Sequence, residues 1–172
     1  ILLAADDSIA LSATGTLVFE GGDFANASAT LVTVSLNDST TDYAATPLTI
    51  AIDGVSADLN AGLNIQSVSV VGLAIDISGF VSLGGNFGFR ITGADIEVAA
   101  TDVSAQLGAG DFSVGVEDGS LAMLLAADDS IALSATGTFV FEGGDFANAS
   151  ATLVTVSLNG SSTDYAATPL TI

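Results

Sequence analysis

Residues 73–91 read Leu73-Ala74-Ile75-Asp76-Ile77-Ser78-Gly79-Phe80-Val81-Ser82-Leu83-Gly84-Gly85-Asn86-Phe87-Gly88-Phe89-Arg90-Ile91. Leu73, Ile75, Ile77, Gly79, Val81 and Leu83 form one alternating run, and Phe87, Phe89 and Ile91 form another. A period of two is the signature of an extended chain with one face buried. The spacing predicts a strand through Gly79 to Leu83, a turn at Gly84-Gly85-Asn86 and a second strand from Phe87.

The same pattern continues outward. Leu48/Ile50/Ile52, Ile96/Val98, Val103/Ala105/Leu107, Phe112/Val114/Val116, Leu121/Met123/Leu125, Ile131/Leu133 and Phe139/Phe141 all alternate. Val, Ile, Thr and Phe suit a pleated, half-buried surface. Turn clusters separate the runs at residues 5–8, 21–23, 37–42, 53–54, 60–62, 84–86, 92–95, 108–111 and 117–119. Their Gly, Asn and Asp supply the positive φ that tight turns need. No segment reads as a helix. The expectation is an all-β fold of tandem antiparallel β-sandwich or barrel-like repeat units, with about 10–12 strands each on the usual strand and turn lengths. A continuous β-solenoid is the alternative. The residues opposite the large apolar ones are mostly Ala, Ser, Thr and Gly, which predicts a second face close to another surface.

The chain repeats itself. Residues 1–50 return as 123–172 with four differences: Ile1/Met123, Leu17/Phe139, Asp38/Gly160 and Thr40/Ser162. The unit is therefore 122 residues long. On this reading residues 1–47 are the C-terminal part of one unit, 48–169 are one complete unit, and 170–172 begin the next. A chain that begins and ends inside a unit reads as a window on a longer array. The unit is itself an unequal doublet of residues 48–95 and 96–169. Residues 48–62 (LTIAIDGVSADLNAG) match 96–110 (IEVAATDVSAQLGAG) at seven of fifteen positions.

Composition narrows function by exclusion. Twenty acids face a single base, Arg90, for a formal net charge of −19. Nucleic acid is no natural partner, because phosphate binding needs Lys and Arg. An anionic membrane surface is disfavoured for the same reason. No run reaches the roughly 18 apolar residues of a membrane helix. Cys, His and Trp are absent, so thiol and imidazole active sites and the usual zinc and haem sites are excluded. Aromatic girdles of a membrane barrel are missing as well.

Sixteen of the acids are Asp, and they cluster in turns. Asp6, Asp7 and their copies Asp128 and Asp129, Asp23 and its copy Asp145, Asp111, and Asp118 beside Glu117 are candidate calcium ligands. Ca²⁺ takes six to eight oxygens, so several turns would have to converge. The competing reading is that each Asp hydrogen-bonds its own turn. Asn26-Ala27-Ser28 and Asn37-Asp38-Ser39 match the glycosylation sequon, as do their copies at Asn148 and Asn159, but Ser and Thr are common enough here to produce such triplets by chance. Arg90 is expected to pair with an acid across strands. No His, Lys pocket or aromatic platform supports a carboxylate-pair glycosidase, and the chain is not read as an enzyme.

The run Ala105-Gln106-Leu107-Gly108-Ala109-Gly110-Asp111-Phe112-Ser113-Val114-Gly115-Val116-Glu117-Asp118-Gly119-Ser120-Leu121, continuing into Ile131-Ala132-Leu133-Ser134-Ala135-Thr136-Gly137, resembles the long near-identical repeats of giant secreted or surface-anchored bacterial proteins of the adhesin type. The resemblance is in the style of repeat and carries no catalytic signature. It implies an extended, calcium-dependent array outside the cell or on its surface. The Gly-Gly-x-Gly-x-Asp nonapeptide of calcium rolls is lacking. The leading expectation is thus an extracellular structural protein, a β-rich stalk or polymeric filament whose partner is itself. The alternative is an adhesin module that recognises glycan or another surface through flat Ser/Thr/Ala/Gly faces. It calls for regular Thr ladders, and along the sequence the Thr residues are scattered.

Overall fold

The computed structural model describes residues 1–167. The unit start expected at 170–172 lies outside the described residues. The strands are β1 (Leu2–Leu3), β2 (Ile9–Glu20), β3 (Ala25–Asn37), β4 (Leu48–Ile52), β5 (Val55–Leu59), β6 (Ile65–Ile77), β7 (Val81–Thr92), β8 (Asp95–Ala109), β9 (Phe112–Leu125), β10 (Ile131–Gly143) and β11 (Asn148–Asn159). The fold is all-β and antiparallel, as the alternation predicts. Nine strands make one sheet in the order β1-β2-β3-β6-β7-β8-β9-β10-β11, and β4-β5 form a separate hairpin. The sheet is an open meander, not closed into a barrel. Its antiparallel pairings join neighbours in the sheet order and do not coil as a solenoid would.

Residues 48–167 hold eight strands, β4 to β11, against the 10–12 expected for a unit. Two of the expected joints are irregularities within strands, and one reversal falls where the alternation reads as continuous strand. Ser78 and Gly79 both have positive φ (49° and 65°). The chain therefore reverses there, and Ile77 pairs with Val81 inside what reads as one strand. Gly84-Gly85-Asn86 lies within β7, and Glu117-Asp118-Gly119 within β9, where the pairing registers shift.

These shifts form a row across the middle of the sheet, at Gly15/Leu17, Val70/Leu73, Gly84/Asn86, Ala100/Val103, Val103/Ala105, Thr136/Thr138 and Gly137/Phe139. Each is a β-bulge, one extra residue on one strand of a pair. The extra residue falls on β3, β6, β8, β9 and β11, whereas β2, β7 and β10 run straight through. The consequence is visible in the sequence parity. In β6 the apolar set changes from even (Val68, Val70) to odd (Leu73, Ile75, Ile77), and in β8 from Ile96, Val98, Ala100 to Val103, Ala105, Leu107. A bulge keeps both sets on one side of the sheet, so the parity break needs no turn.

The two members of the faint internal repeat fold differently. Residues 48–59 are the β4-β5 hairpin, and the matched stretch is the single strand β8. The aligned residues Gly54 and Asp102 share a positive φ (86° and 53°). In the hairpin Asp53 is also left-handed (49°), and two such residues in succession make the tight turn. Thr101, which stands in place of Asp53, is β-branched and resists that conformation. Within this matched pair, the single left-handed residue goes with a bulge and the two in succession go with a reversal.

Residues 38–62 fold back over one corner of the sheet. Ala10, Tyr43 and Leu59 form a small buried cluster there, with Leu2 against it. Asn37 is the anchor and is 0% exposed. Its Nδ2 donates to the carbonyls of Thr41 (2.8 Å) and Ala61 (3.0 Å), and its Oδ1 accepts from Ser39 N (3.0 Å) and Ser39 Oγ (2.7 Å).

Candidate functional site

Register and bulges together sort the sheet's side chains into two unlike faces. One carries Leu11, Val34, Leu36, Val68, Phe89, Ile91, Ile96, Val98, Met123 and Leu133 in its lower half. Its upper half carries Phe19, Ile75, Leu83, Ala105, Val116 and Phe139. Gln66 is the sole polar side chain in the lower half of this face. Many of its residues are open to solvent, among them Phe89 (48%), Leu107 (51%) and Phe112 (54%). Shallow hollows of about 360 Å³ lie on it, one lined by Val116, Ala135, Gly137, Phe139, Ala151 and Val154.

The opposite face is polar and small. Ser12, Ser35 and Ser67 are register partners across β2, β3 and β6, and so are Thr14, Thr33 and Ser69. Ser120, Thr136 and Thr155 make a third row across β9, β10 and β11. Hydroxyls that look scattered along the chain are thus aligned across strands. Arg90 and Glu97 are cross-strand partners here and form a salt bridge, as expected for the one base.

Asn86 closes the bulge row. Its Oδ1 accepts from Gly72 N (2.8 Å), the left-handed residue of the β6 bulge, and its Nδ2 donates to Thr101 Oγ1 (3.2 Å) and Asp102 Oδ2 (2.8 Å). The side chain supplies the partner that the interrupted ladder denies to Gly72. Sequence reading placed Asn86 in a turn and missed this role. The parity change from Val70 to Leu73 was the available signal.

The candidate calcium ligands are spread over the sheet. Asp6, Asp7, Asp128 and Asp129 occupy the β1-β2 and β9-β10 turns at one end. Asp23, Asp111 and Asp145 occupy turns at the other end, where Gly144 packs beside Asp111. Asp118 sits between, in the β9 bulge, with φ 50°. Among the described residues no three His, Cys, Asp or Glu side chains gather into a metal-holding group. Two of them, Asp6 and Asp128, hydrogen-bond within their own turns. Asp6 Oδ1 accepts from Ser8 Oγ (2.7 Å) and Ser8 N (3.2 Å), and the copy Asp128 accepts from Ser130 N (3.0 Å). Hydrogen bonds from Ser8 and Ser130 hold the Asp6 and Asp128 carboxyls below their ordinary pKa. Of the sequon residues, Asn37 is enclosed with both faces of its amide engaged. Asn26 and Asn148 lie near the ends of β3 and β11 and are exposed.

No helix among the described residues is long and apolar enough to cross a membrane. No family model matches this chain, and neither a curated protein nor a solved structure matches it.

Proposed function

We propose that this chain is a structural protein of the cell surface or extracellular space, whose repeats join edge to edge into one long antiparallel β ribbon. One observation carries the reading. Strands β2-β3 and their copies β10-β11 keep the same pairing register, offset by 122 residues at all ten paired positions and at the bulge. The first copy is extended on its far side by β6, which pairs with β3 along most of its length. The identical edge of β11 has no partner among the described residues. A further unit adds its own β6 there, and the sheet continues with six strands, β6 to β11, per repeat. At about 4.8 Å between strands, each unit lengthens the ribbon by roughly 29 Å.

Imaging or small-angle scattering of native material tests this. The expected particle is a ribbon whose length rises by that increment per repeat in the gene. Globular particles of constant diameter would sink it. Calcium is a separate expectation, supported by the Asp-rich turns at both ends of the sheet. A melting temperature unchanged by chelator removes it, since a bound ion stabilises by mass action.

The hydroxyl rows favour a second reading, an adhesin module that binds glycan through the polar face. Rows spaced by the inter-strand distance present a regular lattice of donors and acceptors. Absence of signal on a glycan array, with the sheet intact, eliminates it.

A further inference from the structure

The open sheet exposes more surface than a solitary globule of its mass, and one of its two faces is apolar. A chain of 16.9 kDa folded as an ordinary globule exposes about 7,700 Å², and this one exposes 10810 Å². The difference, roughly 3,000 Å² on one chain, exceeds the roughly 800 Å² that each partner buries in a standard protein interface. The residues 38–62 that provide a second layer cover a corner of the polar face only, around Ala10 and Asn37. Nothing within the described residues caps the apolar side.

We infer that this face packs against the same face of a second copy of the chain, making a two-layer sandwich about 10 Å thick from two open sheets. Two further features point to this occupant. The first is charge. The chain carries −19, yet its acids lie in turns, bulges, the polar face and the segment 38–62. Two copies can meet here with no carboxylates opposed, whereas a phospholipid surface would bring headgroup phosphates to an acidic rim whose chain has no Lys and one Arg, on the other face. The second is relief. Phe139 stands beside Ala151 and Gly137, and the 360 Å³ hollow they border has room for an aromatic or branched side chain. The same neighbourhood recurs around Leu17, Ala29 and Gly15. A face with both ridges and hollows suits self-complementary, two-fold packing. The inference shares with the ribbon reading the identity of the partner, but it concerns the face and not the edge.

The test uses the whole chain and its lack of cysteine. Light scattering at micromolar concentration should give about 34 kDa, twice 16.9 kDa. Phe89→Asp, at a side chain 48% exposed in the single copy, should give the monomer mass with strand circular dichroism retained. Ser67→Asp on the polar face should leave the dimer unchanged. If Phe89→Asp fails to fold, thiol accessibility decides. The thiol of Phe89→Cys should react with maleimide at least 10-fold more slowly than that of Ser67→Cys. A monomeric wild type, or equal thiol rates, overturns the inference. So does a monomer that floats with phosphatidylcholine vesicles, which assigns the face to lipid. A monomer that nevertheless belongs to long native ribbons rejects face pairing and leaves the edge-to-edge reading standing.

Discussion

Asn37 and Asn159 are the same residue of the repeat in two surroundings. Both accept from the Ser two positions on and donate to the carbonyl four positions on. Only Asn37 also reaches Ala61, and only Asn37 is buried. Removing a satisfied buried amide strands its partners, at about 1–3 kcal/mol. Asn37→Ala is expected to lower unfolding free energy by about 2–3 kcal/mol on that basis, and Asn159→Ala by under about 1. The denaturant midpoints of the two variants check the contrast. Leu153 is left-handed (φ 60°) and 73% exposed. Such a conformation costs a branched residue about 1–2 kcal/mol, so Leu153→Gly should raise stability by about 1 kcal/mol, read the same way. Asp6 and Asp128 have folded pKa values below their ordinary ones. A depressed carboxylate pKa contributes stability above the unfolded value and loses it as the pH falls through the folded one. Melting temperature should therefore drop with acidification below about pH 4, and the Asp6→Asn, Asp128→Asn double variant should show a shallower drop.

Strands were legible as alternation, and their joints were misread for a physical reason. A bulge and a tight turn recruit the same residues, Gly, Asn and Asp, because both need positive φ. Gly84-Gly85-Asn86 reads as a turn and is a bulge; Ser78-Gly79 reads as strand and is a turn. What separates them is pairing, which depends on strands distant in sequence. Strand β7 provides a test. A Cβ on Gly85 would meet Thr101 O and Val103 Cα at 3.1 Å, with φ at 138°, while one on Gly88 would meet nothing within 4 Å. Gly85→Ala is expected to destabilise by about 2–4 kcal/mol, in the range of strained or overpacked sites. Gly88→Ala should be neutral or stabilising by up to about 1 kcal/mol through the unfolded chain. Thermal melts of both variants decide it.

For the whole molecule the repeat matters more than any side chain. Two copies of the β2-β3 motif show the same hairpin both with a strand on its far edge and, among the described residues, without one. The expected outcome for this chain is pairing through the sheet face, since a bare apolar face seeks cover. A dye that fluoresces in apolar surroundings should bind the Phe89→Asp monomer more than the wild type, because pairing hides the face. Of the candidate sites, the sequence showed which residues carry charge and which could turn. It could not show that Asp6 and Asp23 lie at opposite ends of the sheet, since that separation is set by the length and direction of the strands between them.

Period-two alternation, the turn residues and the 122-residue repeat were determined by the sequence alone, because side-chain parity and backbone φ preference are local properties. The grouping of those strands into one open sheet with an apolar and a hydroxyl face was decided only by tertiary structure. Bulges shift parity in five strands and not in three, and which strand yields the extra residue depends on its neighbour across the ladder.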